Sequence, residues 1–325
     1  MEYRLLGRVG VRVSALCFGT MSFGGDADET TSMVMYARCR EAGINFFDCA
    51  NVYASGRSES ILGQLMSGHR DELVITSKVG FRMRDGVNGA GLSRRHILRE
   101  AEDSLRRLRT DRIDIYFAHC ADSDTPLEET LAALHTLVHQ GKILYPAVSN
   151  WPAWQIAKAL GICAREGWST FACMQPMYSL VKRQAEVELL PLALDSGLGV
   201  VPYSPLGGGL LSGKYGICAR PSQGRLIENT LYQERYKAGI NYEVAERFTA
   251  YAHSHNLHPA SLAVAWAMSH PAVTAPIIGA RSIEQLNDTL AAVKIPMTQG
   301  WRNEISELSV EPAVATDRTE ERQIV

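Results

Sequence analysis

The sequence predicts a parallel (β/α)8 TIM barrel, class α/β, opened by a short N-terminal hairpin. Two observations carry that expectation. Short apolar runs bounded by polar or glycine-containing segments alternate with stretches of helical spacing, giving eight strand–helix units at roughly 35–45 residue intervals. Three of the early runs also end on an ionisable group. Residues 44–48 end at Asp48, with Tyr53 five residues later; 73–78 end at Lys78; 113–119 end at His119. In a parallel barrel every strand C-terminus opens on one face, so these four side chains would converge.

Taken in order, residues 3–13 read as a hairpin around Gly7 to Gly10. A short strand at 16–18 ends at Gly19 and Thr20, and helical spacing covers 30–42. The strand ending at Asp48 is followed by a helix at 58–66, and the strand ending at Lys78 by a helix with Ser93 as N-cap. After His119 comes a helix whose first turn holds Pro126, Glu128 and Glu129. Strands at 144–149, 171–175 and 198–204 alternate with helices at 152–165 and 186–194. A long loop then runs to about Gly239, followed by helices at 242–255 and 259–269, a strand at 274–278, a unit at 283–293 and a helix near 301–308. No Pro-, Gly- or Ser-rich linker divides the chain, so residues 1–309 are expected to form one domain and 310–325 a polar tail. The segment after Ser204 is too long for a mere connection and is expected to serve as a flap.

Composition narrows the partners. A net charge of −2 over 325 residues gives no reason to expect nucleic acid or an anionic membrane. Apolar stretches are too short to span a bilayer, and the first residues carry no apolar signal core. Seven cysteines without a CxxC pair read as reduced thiols, so a cytoplasmic protein is expected, with a small-molecule substrate and a homo-oligomer left open. His253, His255 and His258 lack acidic or Cys companions, and His135 with His139 lacks the glutamate of a zinc-protease helix, so no metal is expected.

A carboxylate, a phenol, an ammonium and an imidazole together can move protons. A free phenol, with a pKa of about 10, is poorly matched to neutral pH, and a neighbouring Lys78 would lower it. Asp48 would pair with Lys78 and fix its position. His119 would orient a substrate carbonyl oxygen or share the proton with Tyr53. Phe81 and Trp151 follow strand ends and either line the substrate pocket or pack its rim; Met21 is a similar case.

From about residue 3 to residue 293 the chain resembles the aldo-keto reductase family. The specific pieces are Phe47-Asp48-Cys49-Ala50-Asn51-Val52-Tyr53, Ser77-Lys78-Val79-Gly80 and Ile113-Asp114-Ile115-Tyr116 leading to His119. Residues 91–97 are similar to the branch holding the potassium-channel β subunits and bacterial glyceraldehyde-phosphate reductases. The resemblance implies a nicotinamide cofactor lying extended across the strand ends and no metal. It makes Tyr53 the general acid, Asp48 and Lys78 its tuning pair, and His119 the carbonyl-orienting group. Gly19, Thr20, Met21 and Asp48 fall beside the cofactor. Ser149, Asn150 and Gln175 would hold the nicotinamide carboxamide, with Tyr203 stacked under the ring and Ser204 next to it. Leu206, Gly208 and Lys214 would fold over the pyrophosphate. This run nearly spells a P-loop, but Tyr215 cannot ligate magnesium. Gly279, Arg281 and Gln285 match the adenosine site, and the Arg281 fork favours NADP(H) over NAD. Thr289 stands where the family often has an adenine-contacting Asn.

The implied activity is NADPH-dependent reduction of an aldehyde or ketone to an alcohol. The channel branch motivates an alternative, an NADP(H)-binding regulatory subunit with little turnover. His119 argues against it, because channel β subunits lack histidine there. An isomerase or hydrolase on the same barrel is opposed by the Tyr203 and Arg281 matches.

Overall fold

Strands Tyr3–Leu5 (β1) and Arg12–Ser14 (β2) pair antiparallel, Tyr3 opposite Ser14, and form the expected hairpin. The structure is a computed structural model and describes residues 1–316; the remainder of the anticipated tail, from 317 onward, lies outside the described residues. At Gly7, with φ +58°, a Cβ would stand 2.5 Å from the Gly199 nitrogen and 2.7 Å from the Gly197 oxygen. Only glycine lets the hairpin approach the barrel so closely.

Eight strands follow: Cys17–Gly19 (β3), Phe46–Asp48 (β4), Val74–Val79 (β5), Ile113–Ala118 (β6), Ile143–Ser149 (β7), Cys173–Gln175 (β8), Gly199–Val200 (β9) and Ile277–Ile278 (β10). All neighbours pair in parallel, in the order β10-β3-β4-β5-β6-β7-β8-β9. Closure comes from backbone bonds between the two ends of that order: Thr274 N–H donates to Val200 O (2.9 Å) and Ile277 N–H to Pro202 O (2.8 Å). The lumen is filled by Cys17, Phe46, Val74, Ile115, Phe117, Ala147, Cys173 and Val201, with Leu6 and Val13 of the hairpin region in the same cluster. A packed interior of this kind leaves the strand C-termini as the place for a site.

Helices surround the sheet: Glu29–Glu41 (α1), Arg57–Leu65 (α2), Arg94–Leu108 (α3), Leu127–His139 (α4), Ala153–Glu166 (α5), Leu189–Ser196 (α6), Arg225–Glu228 (α7), Thr230–Tyr236 (α8), Gly239–Ser254 (α9), Pro259–Met268 (α10), Ile283–Leu290 (α11) and Gln299–Ser306 (α12). Ser93 caps α3, accepting from the His96 N–H. Glu128 and Glu129 occupy the first turn of α4 as expected. Among the described residues no helix is long and apolar enough to cross a membrane.

Three expectations change. The segment after Ser204 is not a bare loop: it holds a 3-10 turn at Gly207–Ser212 and the helices α7 and α8. The strands expected at 198–204 and 274–278 shrink to two residues each, although backbone bonds continue past Pro202, from Val201 N–H to Met174 O and from Tyr203 N–H to Pro176 O, both 2.9 Å. The helix expected at 186–194 starts later, at Leu189, after a 3-10 turn at Gln184–Glu186 and a Glu188 whose φ of −135° is not helical.

Candidate active site

Asp48, the last residue of β4, is the hub. Its Oδ1 accepts from the Thr76 hydroxyl (2.8 Å) and from Gln175 Nε2 (2.9 Å), and its Oδ2 accepts from Lys78 Nζ (2.6 Å). Lys78, fully buried on β5, also donates to Cys49 O (2.7 Å) and to Tyr53 Oη (3.1 Å). An ammonium has three protons, and here all three are committed. Tyr53 therefore accepts from Lys78, and its own proton has no protein acceptor among the described residues.

The ring of Tyr53 reaches this position through unusual backbone. Ala54 (φ 46°, ψ 38°) and Ser55 (φ 54°, ψ 41°) are both left-handed, and Gly56 follows at φ 90°. Two non-glycine residues in that region cost roughly 1–2 kcal/mol each, so the turn into α2 is held by its surroundings rather than by preference. Asn51, in the same loop, donates from Nδ2 to Glu100 (2.9 Å), and Glu100 also pairs with Arg84 of the loop that carries Phe81. One buried carboxylate thus ties the Tyr53 loop to the Phe81 loop.

Around Tyr53, the His119 ring lies edge-on at 6.1 Å between centroids, and Phe81 lies edge-on to His119 at 4.6 Å. His119 Nδ1 is buried and has no hydrogen-bond partner among the described residues, while its backbone oxygen accepts from Asn150 Nδ2 (2.9 Å). Asn150, at φ 59°, also accepts at Oδ1 from the Tyr203 hydroxyl (2.7 Å). The Ser149 hydroxyl donates to Gln175 O (2.9 Å). These side chains face the barrel mouth and do not cap α5, whose N-cap is Pro152.

The electrostatics correct one expectation. Lys78 does lower the Tyr53 pKa, but burial raises it more, and the phenol is pushed up to about 12. Burial of the phenol is the larger effect, and Asp48, 2.6 Å from the ammonium, offsets part of what Lys78 contributes. Burial pushes the Lys78 pKa down, yet Asp48 and Tyr53 together lift it above its ordinary value, so it stays charged. Burial, followed by the Lys78 charge, holds His119 well below the usual imidazole range, so it is neutral at physiological pH. Neither Tyr53 nor His119 titrates near neutrality. Any proton-dependent turnover limited by these two groups should be flat between about pH 6.5 and pH 9. A rate profile with an inflection inside that window would show that the phenol is lowered or the imidazole raised.

Tyr53, Phe81 and His119 line one end of a continuous cavity of about 600 Å3. Gly19, Met21, Asp48, Ser149, Asn150, Gln175, Tyr203 and Ser204 also line it, and Leu206, Gly208, Lys214, Gly279, Arg281 and Gln285 carry it to the far end. Lys78 sits behind this wall, fully buried. Two expected positions fall elsewhere. Thr20 is buried with its hydroxyl on Asp48 O (3.1 Å), and the Trp151 ring packs edge-on against Phe171 at 5.8 Å, away from the cavity. Rim packing is the outcome for Trp151.

Several lining residues escaped the sequence reading: Asn229, Leu231, Tyr232, Arg235, His258 and Asp288. Most lie in or beside α8, where a seven-residue helix among glycines and arginines carries too weak a period to be seen. The chemistry of the set fits an extended dinucleotide. The lining brings together amides and hydroxyls, glycines and Lys214, and the guanidinium groups of Arg225, Arg235 and Arg281. A Cβ on Gly208 (φ +68°) would stand 2.9 Å from the Tyr232 ring, so that stretch of backbone can lie flat only as glycine.

Residues 15–309 match the model of the aldo/keto reductase family. A Bacillus subtilis protein named as an uncharacterized oxidoreductase, YrpG, is 39% identical over 309 residues, covering 91% of this chain and 92% of its own. A probable voltage-gated potassium channel subunit beta of Arabidopsis thaliana is 36% identical over 304 residues, with the same coverage of both chains. The versiconal hemiacetal acetate reductase of Aspergillus parasiticus is 31% identical over 331 residues, covering 92% of this chain and 94% of its own.

Proposed function

This chain belongs to the aldo/keto reductase family, and from that premise we propose that it reduces an aldehyde or ketone with NADPH, Tyr53 serving as general acid. The family and its oxidoreductase relatives support carbonyl reduction in general. One observation carries the finer reading: Tyr53, committed as an acceptor to Lys78, presents its proton at one end of a cavity whose other end holds Arg281.

When bound, a reduced nicotinamide supplies the hydride that reaches the carbonyl carbon. The rest falls to the protein. Tyr53 passes its phenolic proton to the carbonyl oxygen, so that C=O becomes CH–OH. Lys78, 3.1 Å away, stabilises the phenolate left behind, and Asp48 keeps that ammonium in place. Neutral His119 hydrogen-bonds the carbonyl oxygen and sets its angle to Tyr53. Asn150, Ser149 and Gln175 would hold the carboxamide, and Tyr203 would support the ring. Lys214, exposed on the flap, would meet the pyrophosphate, and Arg281 with Gln285 the adenosine end.

The test is absorbance at the reduced-nicotinamide band while a panel of aldehydes and sugar phosphates is offered with NADPH or NADH. Absorbance that stays constant with every compound in the panel, alongside tight cofactor binding, would move the reading to the regulatory subunit. That second reading is favoured by the channel-subunit relative at 36% identity and opposed by the complete Asp48–Tyr53–Lys78–His119 set. Arg281→Ala should weaken NADPH about tenfold or more and NADH little, since charge-assisted bonds to phosphate contribute about 1.5–3 kcal/mol each. Equal weakening of both cofactors would remove the basis for preferring NADP.

A further inference from the structure

Arg281 does not wait as a free fork. Its Nη1 donates to the Glu228 carboxylate at 3.2 Å, and the same atom lies 4.0 Å from Asp26 Oδ2. The three residues come from three different parts of the barrel mouth. Glu228 ends α7 in the flap, Asp26 stands in the loop after β3, and Arg281 precedes α11. The Arg281 backbone N–H donates to Gln285 Oε1 (3.1 Å), which fixes the main chain beneath the guanidinium. Arg281, with about a third of its side chain exposed, lines the adenosine end of the cavity beside Asp288 and His258.

We propose that Glu228 is a cofactor-selectivity residue that acts against the 2′-phosphate by competing with it for Arg281. The inference rests on the reading of Arg281 as the 2′-phosphate partner. A 2′-phosphate carries close to two negative charges and three acceptor oxygens, and it would share Arg281 with a carboxylate that already holds Nη1, one end of the five-donor fork. Binding it makes Glu228 share or release Arg281, and leaves Glu228 and Asp26 near a like charge. A 2′-hydroxyl makes no such demand. It is uncharged, and it can donate to the Glu228 carboxylate while the ion pair stays intact. The arrangement therefore narrows the preference for NADPH that Arg281 alone would create, and lets NADH be used as well.

Magnitudes follow from exposure. The pair is about one-third and one-half exposed, at 32% and 49%, so it is a weak surface pair. Removing such a competitor, with the repulsion it adds, should tighten a 2′-phosphorylated ligand about fivefold to tenfold. Asp26, at the longer distance, should matter less, about twofold.

The experiment is a set of binding titrations on the full-length chain with NADPH, NADH, adenosine 2′,5′-bisphosphate and 5′-AMP. Glu228→Gln, close to isosteric and half-exposed, should tighten NADPH and the bisphosphate about fivefold to tenfold and move NADH and 5′-AMP less than about twofold. In an Arg281→Ala background the same substitution should tighten NADPH and the bisphosphate only about twofold or less, the repulsion it relieves, because there is no longer a guanidinium to compete for. If Glu228→Gln shifts all four ligands by one common factor, the pair only tethers the flap and the proposal is overturned. Weaker NADPH binding by Glu228→Gln overturns it also. Should Arg281→Ala itself weaken NADPH and NADH equally, the 2′-phosphate reading fails and this proposal with it. Selective weakening by Arg281→Ala beside an unselective Glu228→Gln overturns the Glu228 proposal alone.

Discussion

Tyr53→Phe is expected to lower the reductive turnover number about 10²–10⁴-fold while leaving the dissociation constant of the cofactor unchanged. The substitution deletes one oxygen and keeps the ring that packs edge-on to His119. It removes the phenolic proton and the group that Lys78 steadies at 3.1 Å. Nothing else in the lining can replace that proton cheaply. His119 is neutral and held well below its usual pKa, so it is a weak source of protons at neutral pH. Lys78 is charged but sits behind the wall with its three protons committed to Asp48, Cys49 and Tyr53. Single-turnover loss of the reduced-nicotinamide signal measures the effect, and fluorescence titration measures cofactor affinity. Turnover within tenfold of the parent would mean that another group, or solvent, is the acid.

How far the chain could be read before its fold was known depends on how local each signal is. Asp48, Lys78 and His119 sit within one residue of the ends of buried strands, and strand ends are legible because apolar runs stop there. The barrel followed from eight such runs, since parallel order with all C-termini on one face leaves few alternatives. Prolines do not fix strand lengths in advance: Pro146 lies within the seven-residue β7, while the strands near Pro202 and Pro276 are two residues long. Trp151 shows a second limit. A residue past a strand end can turn inward or outward, and only the position of Phe171 decides it. The Tyr53 pKa shows a third, because sequence reveals the cation but not how deeply the phenol is buried or how fully Asp48 screens that cation. Glu228 is the extreme case. It lies 53 residues from Arg281 in a segment without a readable period, and its pairing exists only in the folded chain.

Lys78→Met should both unfold the protein more easily and abolish most turnover, and the two effects can be separated. Removing one partner of a buried ion pair leaves the other as an uncompensated charge, at a typical cost of about 3–5 kcal/mol. Asp48 is 2% exposed, so it would carry that penalty, softened by the Thr76 hydroxyl and Gln175 amide that still donate to it. The stability midpoint in urea should fall accordingly. Adding Asp48→Asn removes the orphaned charge, and the double variant should recover more than half of the lost stability. Turnover should not recover with it. Without the ammonium the phenolate that forms on proton donation has no counter-charge, in a site where burial already lifts the phenol to about 12. Activity of the double variant should therefore stay at or below about one-hundredth of the parent. If stability and turnover return together, Lys78 acts only as a structural partner of Asp48. If Lys78→Met unfolds at the parent's midpoint, Asp48 is satisfied by Thr76 and Gln175 alone, and the pair contributes little to the fold.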